Sequence, residues 1–238
     1  MEEIKAPATR LPLSLLRHCR ELYDEVAKAA SFSDETNRIM HDLLRKTCAN
    51  GKSAYDSKGL PRMVLALETA DAFAHFIDAD TNILHAILLS DFNGEVISIE
   101  EIEKAFGNDV AEMLKGIETV AQYSAKRNLQ NQDNFRGLML SLADDIRVII
   151  IMIVRDLVLM RRINMHPDTE WVSNMAFEAN VLYAQLAHRL GLYKIKGELE
   201  DLSLKYTNRE IYKQIATKLN ETKRSRDEYV EKFIAPVK

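Results

Sequence analysis

Apolar residues recur at helical spacing along nearly the whole chain, and few residues interrupt them. In Asp34–Ala49 (DETNRIMHDLLRKTCA), apolar side chains return every three to four positions behind a cap at Ser33 or Asp34. Residues 107–120 (GNDVAEMLKGIETV) repeat this pattern. The chain contains only 8 Gly and 5 Pro, so few positions force a turn. No stretch alternates with period two long enough to demand a sheet, and the sequence therefore predicts an all-α fold.

The helical segments predict a multi-helix globule that ends in one long helix. We predict helices near residues 12–30, 34–49, 61–77, 80–90, 98–106, 109–123, 134–142, 144–162, 168–190, 193–204 and 208–234. No internal repeat or low-complexity linker divides the chain, which favours one domain over residues 1–206. Residues 207–238 form an increasingly charged helix, which we interpret as a connector.

Composition excludes several classes of function. The formal net charge is -4 over 238 residues, which gives no overall case for nucleic-acid binding. The most apolar run, VIIIMIV at 148–154, is too short to span a bilayer and indicates a helix buried on all sides. The two cysteines, Cys19 and Cys48, lie in helical patterns and are expected to be reduced. We therefore expect a cytoplasmic protein that contacts neither membrane nor nucleic acid.

Common enzyme motifs are missing from the sequence. It contains no phosphate-cradling glycine loop, CxxC pair, HExxH motif or GxSxG motif. The chain therefore offers no signature of another enzyme class.

Four segments resemble the RelA/SpoT family, the stringent-response enzymes that make and degrade (p)ppGpp. Residues 183–206 (YAQLAHRLGLYKIKGELEDLSLKY) resemble a family signature and carry the most specific match. Residues 134–156 are similar to the helix pair that precedes the family's late catalytic Asp. Residues 105–117 (AFGNDVAEMLKGI) resemble its FG…VA segment, and residues 223–234 (KRSRDEYVEKFI) its charged connector helix.

The resemblance implies an HD-type hydrolase domain, which in the family is all-α. Such a domain uses Mn2+ to remove pyrophosphate from the 3′ position of the nucleotide, and a synthetase domain follows it. The synthetase transfers pyrophosphate from ATP to GTP or GDP. We therefore expect residues 1–206 to be HD-like and residues 207–238 to lead toward a synthetase domain, which would be the partner of this segment.

The resemblance also implies a metal site, and most of its positions have changed. The family pattern has an upstream His, an HD pair followed by a Glu-Asp pair, and a late Asp with an Asn one turn later. The upstream His falls near Ala66. Two alignments of the HD pair and the acidic pair remain open: Ser90-Asp91 with Gly94-Glu95, or Leu89-Ser90 with Asn93-Gly94. The first keeps one ligand and one acid, whereas the second keeps neither.

The late positions have also changed, because Arg155 replaces the Asp and Leu159 replaces the Asn. Asp156 is a poor substitute, since one residue step turns a helical side chain by about 100°. In either alignment at least three of the four ligands are lost and a permanent cation takes one place. We therefore predict an inactive hydrolase site without metal or cofactor, in which Asp91 is the only ligand that could be retained.

Arg155 suggests a specific hypothesis for the altered site. Its guanidinium would occupy the former metal position and supply the positive charge that a buried Asp91 needs. The alternative is that Arg155 points to solvent and Asp91 caps a helix or loop.

The first functional prediction is a pseudo-hydrolase domain with a structural or regulatory role toward the synthetase domain of a GTP diphosphokinase. A second is an active, Mn2+-dependent (p)ppGpp 3′-pyrophosphohydrolase with relocated ligands such as His85, Asp91 and Glu95. A third is a sensor whose old pocket binds a guanine nucleotide without cleaving it, and Leu159 in place of Asn argues against it. A fourth is a helical interaction module unrelated to (p)ppGpp.

Overall fold

The computed structural model describes residues 11–49, 54–90, 97–125 and 145–234. Its α-helices are α1 (Leu13–Ala29), α2 (Asp34–Ala49), α3 (Arg62–Phe76), α4 (Thr81–Leu89), α5 (Ile99–Phe106), α6 (Asn108–Ala125), α7 (Ile146–Arg162), α8 (Thr169–Glu178), α9 (Ala184–Arg189), α10 (Tyr193–Thr207) and α11 (Arg209–Ile234). Within these residues no strand forms, and the single bridge between Tyr55 and Pro61 is the nearest approach to one. The predicted all-α fold is confirmed.

The predicted helix bounds agree with the structure to within about three residues wherever the structure describes them. The one internal difference is in the helix predicted over 168–190. Five residues, Ala179–Tyr183, form a π-helical segment between α8 and α9. The helix predicted near 134–142 lies outside the described residues. The final predicted helix is present as α11, whereas its role as a connector stays a prediction.

Side chains at the helix starts explain why the chain enters helices where it does. Ser98 and Glu101 form a reciprocal capping box at the start of α5, as their spacing predicts. Asp80 and Asp168 accept backbone N–H bonds at the starts of α4 and α8. The Ser33 hydroxyl accepts the Thr36 N–H at 3.1 Å, which identifies Ser33 as the cap of α2.

The chain divides into two compact units, and the division falls after Leu159. In the first unit α3 packs against α1 and α4, while α6 packs against α4 and α5. Residues of α3 and α4 are buried on nearly every side. The run predicted to be buried, 148–154, is buried except for the half-buried Ile150. Gly116 of α6 lies so close to α7 that an added Cβ would sit 2.9 Å from a Val148 methyl group.

The second unit, Met160–Lys238, is built around α10, which packs against α8, α9 and α11. The Ser203 hydroxyl donates to the Ala176 carbonyl at 2.6 Å, which joins α10 to α8. The Tyr206 hydroxyl donates to the carbonyl of Met160 at 2.8 Å.

No described helix combines the length and the apolar character that a bilayer-spanning segment needs.

Candidate metal centre

The position matched to the upstream His is an apolar core position. Ala66 lies in α3 with 4% of its surface exposed, between the buried Leu65 and Leu67. A methyl group has no lone pair to donate to a cation. This part of α3 therefore contributes packing and offers no metal ligand at Ala66.

The end of α4 carries the positions matched to the HD pair. Leu89 is fully buried. Ser90 is half-buried, and its hydroxyl donates to the Ile87 carbonyl at 2.9 Å. Its oxygen keeps lone pairs, but a neutral hydroxyl is a far weaker donor than imidazole. The remaining predicted site residues, Asp91, Asn93, Gly94 and Glu95, lie outside the described residues, so the choice of alignment stays open.

Helix α7 presents the late positions. Arg155 and Leu159 are half-buried, while Asp156 is buried with 6% of its surface exposed. The different burial of neighbouring residues is what a step of about 100° along a helix produces. Because Asp91 is outside the described residues, its proposed pairing with Arg155 stays a hypothesis.

His85 is the histidine nearest to this region in the sequence, one turn before Leu89. Its ring lies between Phe32 and Phe106, with centroid distances of 4.4 and 5.0 Å. It is 4% exposed, and neither ring nitrogen has a hydrogen-bond partner among the described residues. Burial lowers the pKa of His85 to about 4, and the Asp80 carboxylate opposes this only in part. At neutral pH the imidazole is therefore uncharged.

A neutral imidazole is the form that binds metals, but one donor does not make a site. Among the described residues, no group of three or more His, Cys, Asp or Glu side chains is arranged to hold an ion. Residues 91–96 lie outside the described part of the chain. The predicted absence of metal therefore remains a prediction.

A cluster of three charged side chains among the described residues of the first unit was not predicted from the sequence. Arg147 pairs with Asp145 at 2.6 Å and with Asp109 at 2.7 Å. Its guanidinium, through hydrogen bonds and charge, lowers the pKa of both carboxyl groups. Asp109 and Arg147 are 38 residues apart, so no local pattern could have revealed the pair. Asp145 lies directly before α7, and its carboxylate also accepts the backbone N–H of Arg147 at 2.9 Å.

Comparison with known proteins shows which family and which relatives this chain is similar to. A family model described as "HD domain" matches residues 42–193, which is more than half of the chain. The match begins within α2 and ends at the start of α10.

Several curated relatives carry names from (p)ppGpp metabolism. The chain is 32% identical over 198 residues to a GTP pyrophosphokinase of Myxococcus xanthus, covering 80% of this chain and 26% of that protein. It is 29% identical over 228 residues to a guanosine-3′,5′-bis(diphosphate) 3′-pyrophosphohydrolase of Aquifex aeolicus, covering 93% and 30%. A GTP pyrophosphokinase of Escherichia coli K12 is 29% identical over 166 residues, covering 66% and 22%. The chain thus spans less than a third of the length of these relatives.

Proposed function

Because the chain belongs to the HD-domain family, in the form carried by RelA/SpoT proteins, we propose that it is a pseudo-hydrolase domain. Its role would be structural or regulatory toward a (p)ppGpp synthetase domain. By this proposal the whole protein is a GTP diphosphokinase, as the names of the Myxococcus and Escherichia relatives suggest, and it works in the cytoplasm.

The observation that carries this proposal is the chemistry of the side chains at the former ligand positions. Ala66, matched to the upstream His, has no donor atom for a metal. Leu159 lacks the amide that the family pattern places there to hold the nucleotide. Arg155 adds a permanent cation, which repels a divalent ion at any short distance. Hydrolysis in this family type needs a metal-bound water, and a site that cannot hold the metal loses that nucleophile.

The test is an assay of the purified chain for pyrophosphate release from ppGpp in the presence of Mn2+, with elemental analysis of bound metal. We expect no release above the protein-free rate and far less than stoichiometric metal, because too few donor atoms remain to hold an ion tightly. The Aquifex relative, which is named a 3′-pyrophosphohydrolase, serves as the positive control. Release that is lost in Asp91→Ala would overturn the proposal.

An active hydrolase with relocated ligands is the second candidate. It is favoured by the name of the Aquifex relative, which aligns with 93% of this chain. His85, Asp91 and Glu95 would then hold Mn2+, and the neutral imidazole of His85 is in the right protonation state for this. If this candidate is correct, His85→Leu and Asp91→Ala will each abolish both metal binding and release, while His41→Leu will abolish neither.

A further inference from the structure

A cavity of about 820 Å³ opens between α1, α2 and the start of α3. Its floor consists of Leu11, Cys19, Tyr23 and Met63, which are all buried. Pockets that bind small molecules have volumes of roughly 300–1,000 Å³ and mostly apolar walls. The cavity therefore has the size and the lining of a small-ligand site, and it uses none of the positions matched to the metal centre.

The rim of this cavity is cationic. Arg20 and Arg45 are exposed and line it, and no acidic side chain is among the described residues that do. Asp42 pairs with Arg45 at 2.7 Å but lies outside the cavity wall. His41 stands at the same edge with its ring packed on Tyr23 at 4.7 Å. A ligand that enters the apolar part would thus meet positive charge at the mouth.

The basic character extends beyond the mouth along α2. A second depression of about 800 Å³ shares His41 and Arg45 with the first, and it adds Arg38 and Lys46. The acids that line it are already engaged. Asp42 binds Lys46 at 2.8 Å, and Glu101 accepts the backbone N–H of Ser98 at 2.9 Å. The surplus charge at this surface is therefore positive.

The floor favours an aliphatic ligand over a nucleobase. A base needs donors and acceptors to read its edge, whereas the floor is formed by Leu, Met, Cys and Tyr side chains. Among these floor side chains only Tyr23 carries a hydroxyl group, and this hydroxyl donates a 2.8 Å hydrogen bond to the side-chain oxygen of Asn37. Burial raises the pKa of Tyr23 to about 12, so the ring remains neutral. An extended hydrocarbon chain needs no polar partner, and burial of its apolar surface alone favours binding.

We propose that this cavity binds a small amphipathic anion, with its hydrocarbon chain on the apolar floor and its carboxylate at Arg20 and Arg45. The two guanidinium groups suit a carboxylate because each is planar and carries several N–H donors. Arg45 gives its Nη2 to Asp42 and keeps its other N–H donors for the ligand. This site is independent of the pseudo-hydrolase proposal, since it uses other residues and requires neither metal nor nucleotide.

The first experiment titrates the full chain with decanoate, below the concentration at which it forms micelles, by isothermal calorimetry. We expect saturable binding of one equivalent. Arg20→Ala and Arg45→Ala should each weaken it about fivefold, the size of an exposed charge contact. Leu16→Trp, which fills the wall of the cavity at a half-buried position, should weaken it more than tenfold. Leu219→Trp, at an exposed position of α11, is the matched control and should change nothing.

The second experiment locates the ligand and guards against a variant that fails to fold. In a Cys48→Ser background, the Cys19 thiol on the cavity floor is alkylated with N-ethylmaleimide in the presence and absence of decanoate. We expect decanoate to slow alkylation at least fivefold, in proportion to occupancy. The proposal is wrong if decanoate does not bind, if it binds without protecting Cys19, or if a folded Leu16→Trp variant binds it unchanged.

Discussion

Arg147 holds Asp109 in a two-pronged ion pair, with Nη1 to Oδ2 at 2.9 Å and Nη2 to Oδ1 at 2.7 Å. The same guanidinium contacts Asp145 through its Nε at 2.8 Å and its Nη2 at 2.6 Å. The Asn82 side chain donates to Asp109 at 3.2 Å. One cation therefore ties together the starts of α4, α6 and α7.

We expect Arg147→Ala to lower the free energy of unfolding by about 1 kcal/mol, because two carboxylates lose their partner. This value is the upper end of the range measured for partly exposed ion pairs. Arg147→Lys should recover only part of this, since an ammonium group cannot form the two-pronged pair. Urea unfolding of both variants measures the effect. Arg45→Ala, which breaks the exposed local pair with Asp42, is the control and should cost less. Equal losses in the two alanine variants would show that the network adds nothing beyond a local pair.

His85 should make stability depend on pH in a defined window. Its pKa is about 4 in the folded chain and about 6.5 in an unfolded one, so protons bind the unfolded state first. Its contribution is complete above pH 6.5 and is lost as the pH falls from 6.5 toward 4. The full loss is about 3 kcal/mol, from a difference of about 2.5 pKa units. Urea unfolding at pH 7.5, 6 and 5 measures this slope.

The pH dependence has a simple control. His85→Leu removes the titrating group from between Phe32 and Phe106. The free energy of unfolding of this variant should therefore change little between pH 7.5 and 5. His41→Leu changes an exposed histidine and should leave the slope intact. Asp109 and Asp145 have lowered pKa values, so their contribution is lost only at a more acidic pH, below their usual range. If the free energy of unfolding of His85→Leu still falls between pH 7.5 and 5, another group causes this pH dependence.

Two helical glycines should respond to alanine with opposite signs. An alanine methyl gains about 1 kcal/mol from helix propensity in either position. At Gly197 nothing lies within 4 Å of the new methyl, so Gly197→Ala should stabilise the chain. At Gly116 the methyl would lie 2.9 Å from Val148, and overpacking of roughly 1–3 kcal/mol should outweigh the gain. Thermal unfolding distinguishes the two, and Val148→Ala should relieve the Gly116→Ala defect.

The pairing of Arg155 with Asp91 can be tested by a double-mutant cycle. If the pair forms, Arg155→Met and Asp91→Asn will each destabilise the chain, and the double variant will be less destabilised than their sum by about 1–3 kcal/mol. The exposed pair Arg161–Glu198, with contacts of 2.6 and 2.7 Å, provides a reference cycle whose coupling should be smaller. Additive effects of the Arg155 and Asp91 changes would rule the pairing out.

Most of the helical fold could be predicted because its signals are local. The capping box of Ser98 and Glu101 and the apolar run at 148–154 each lie within one or two turns of chain. The π-helical segment could not be predicted, since its residues have ordinary helix-forming side chains and only packing selects the wider turn.

The site was less predictable because its properties depend on residues distant in sequence. The sequence identifies His85 as a helical histidine, but its aromatic surroundings come from Phe32 and Phe106, which lie in other segments of the chain. Likewise, spacing shows that Asp156 is turned away from Arg155, whereas its burial depends on what packs against α7. That the side chains of Ala66 and Leu89 carry no donor atom can be read from the sequence, since side-chain chemistry needs no geometry. Which of the two alignments applies cannot be read in this way.

The π-helical segment Ala179–Tyr183 has a consequence for how chain length can vary among relatives. A π turn holds one residue more than an α turn, so the segment stores a one-residue insertion inside an otherwise continuous helix. Removing the exposed Asn180 would let the helix close into regular α geometry while Ala176 and Leu186 kept their packed faces. The same deletion in the middle of α7 would rotate every following side chain by about 100° and expose its core face. Single-residue gaps in comparisons of this family are therefore physically reasonable at 179–183 and costly within 148–158.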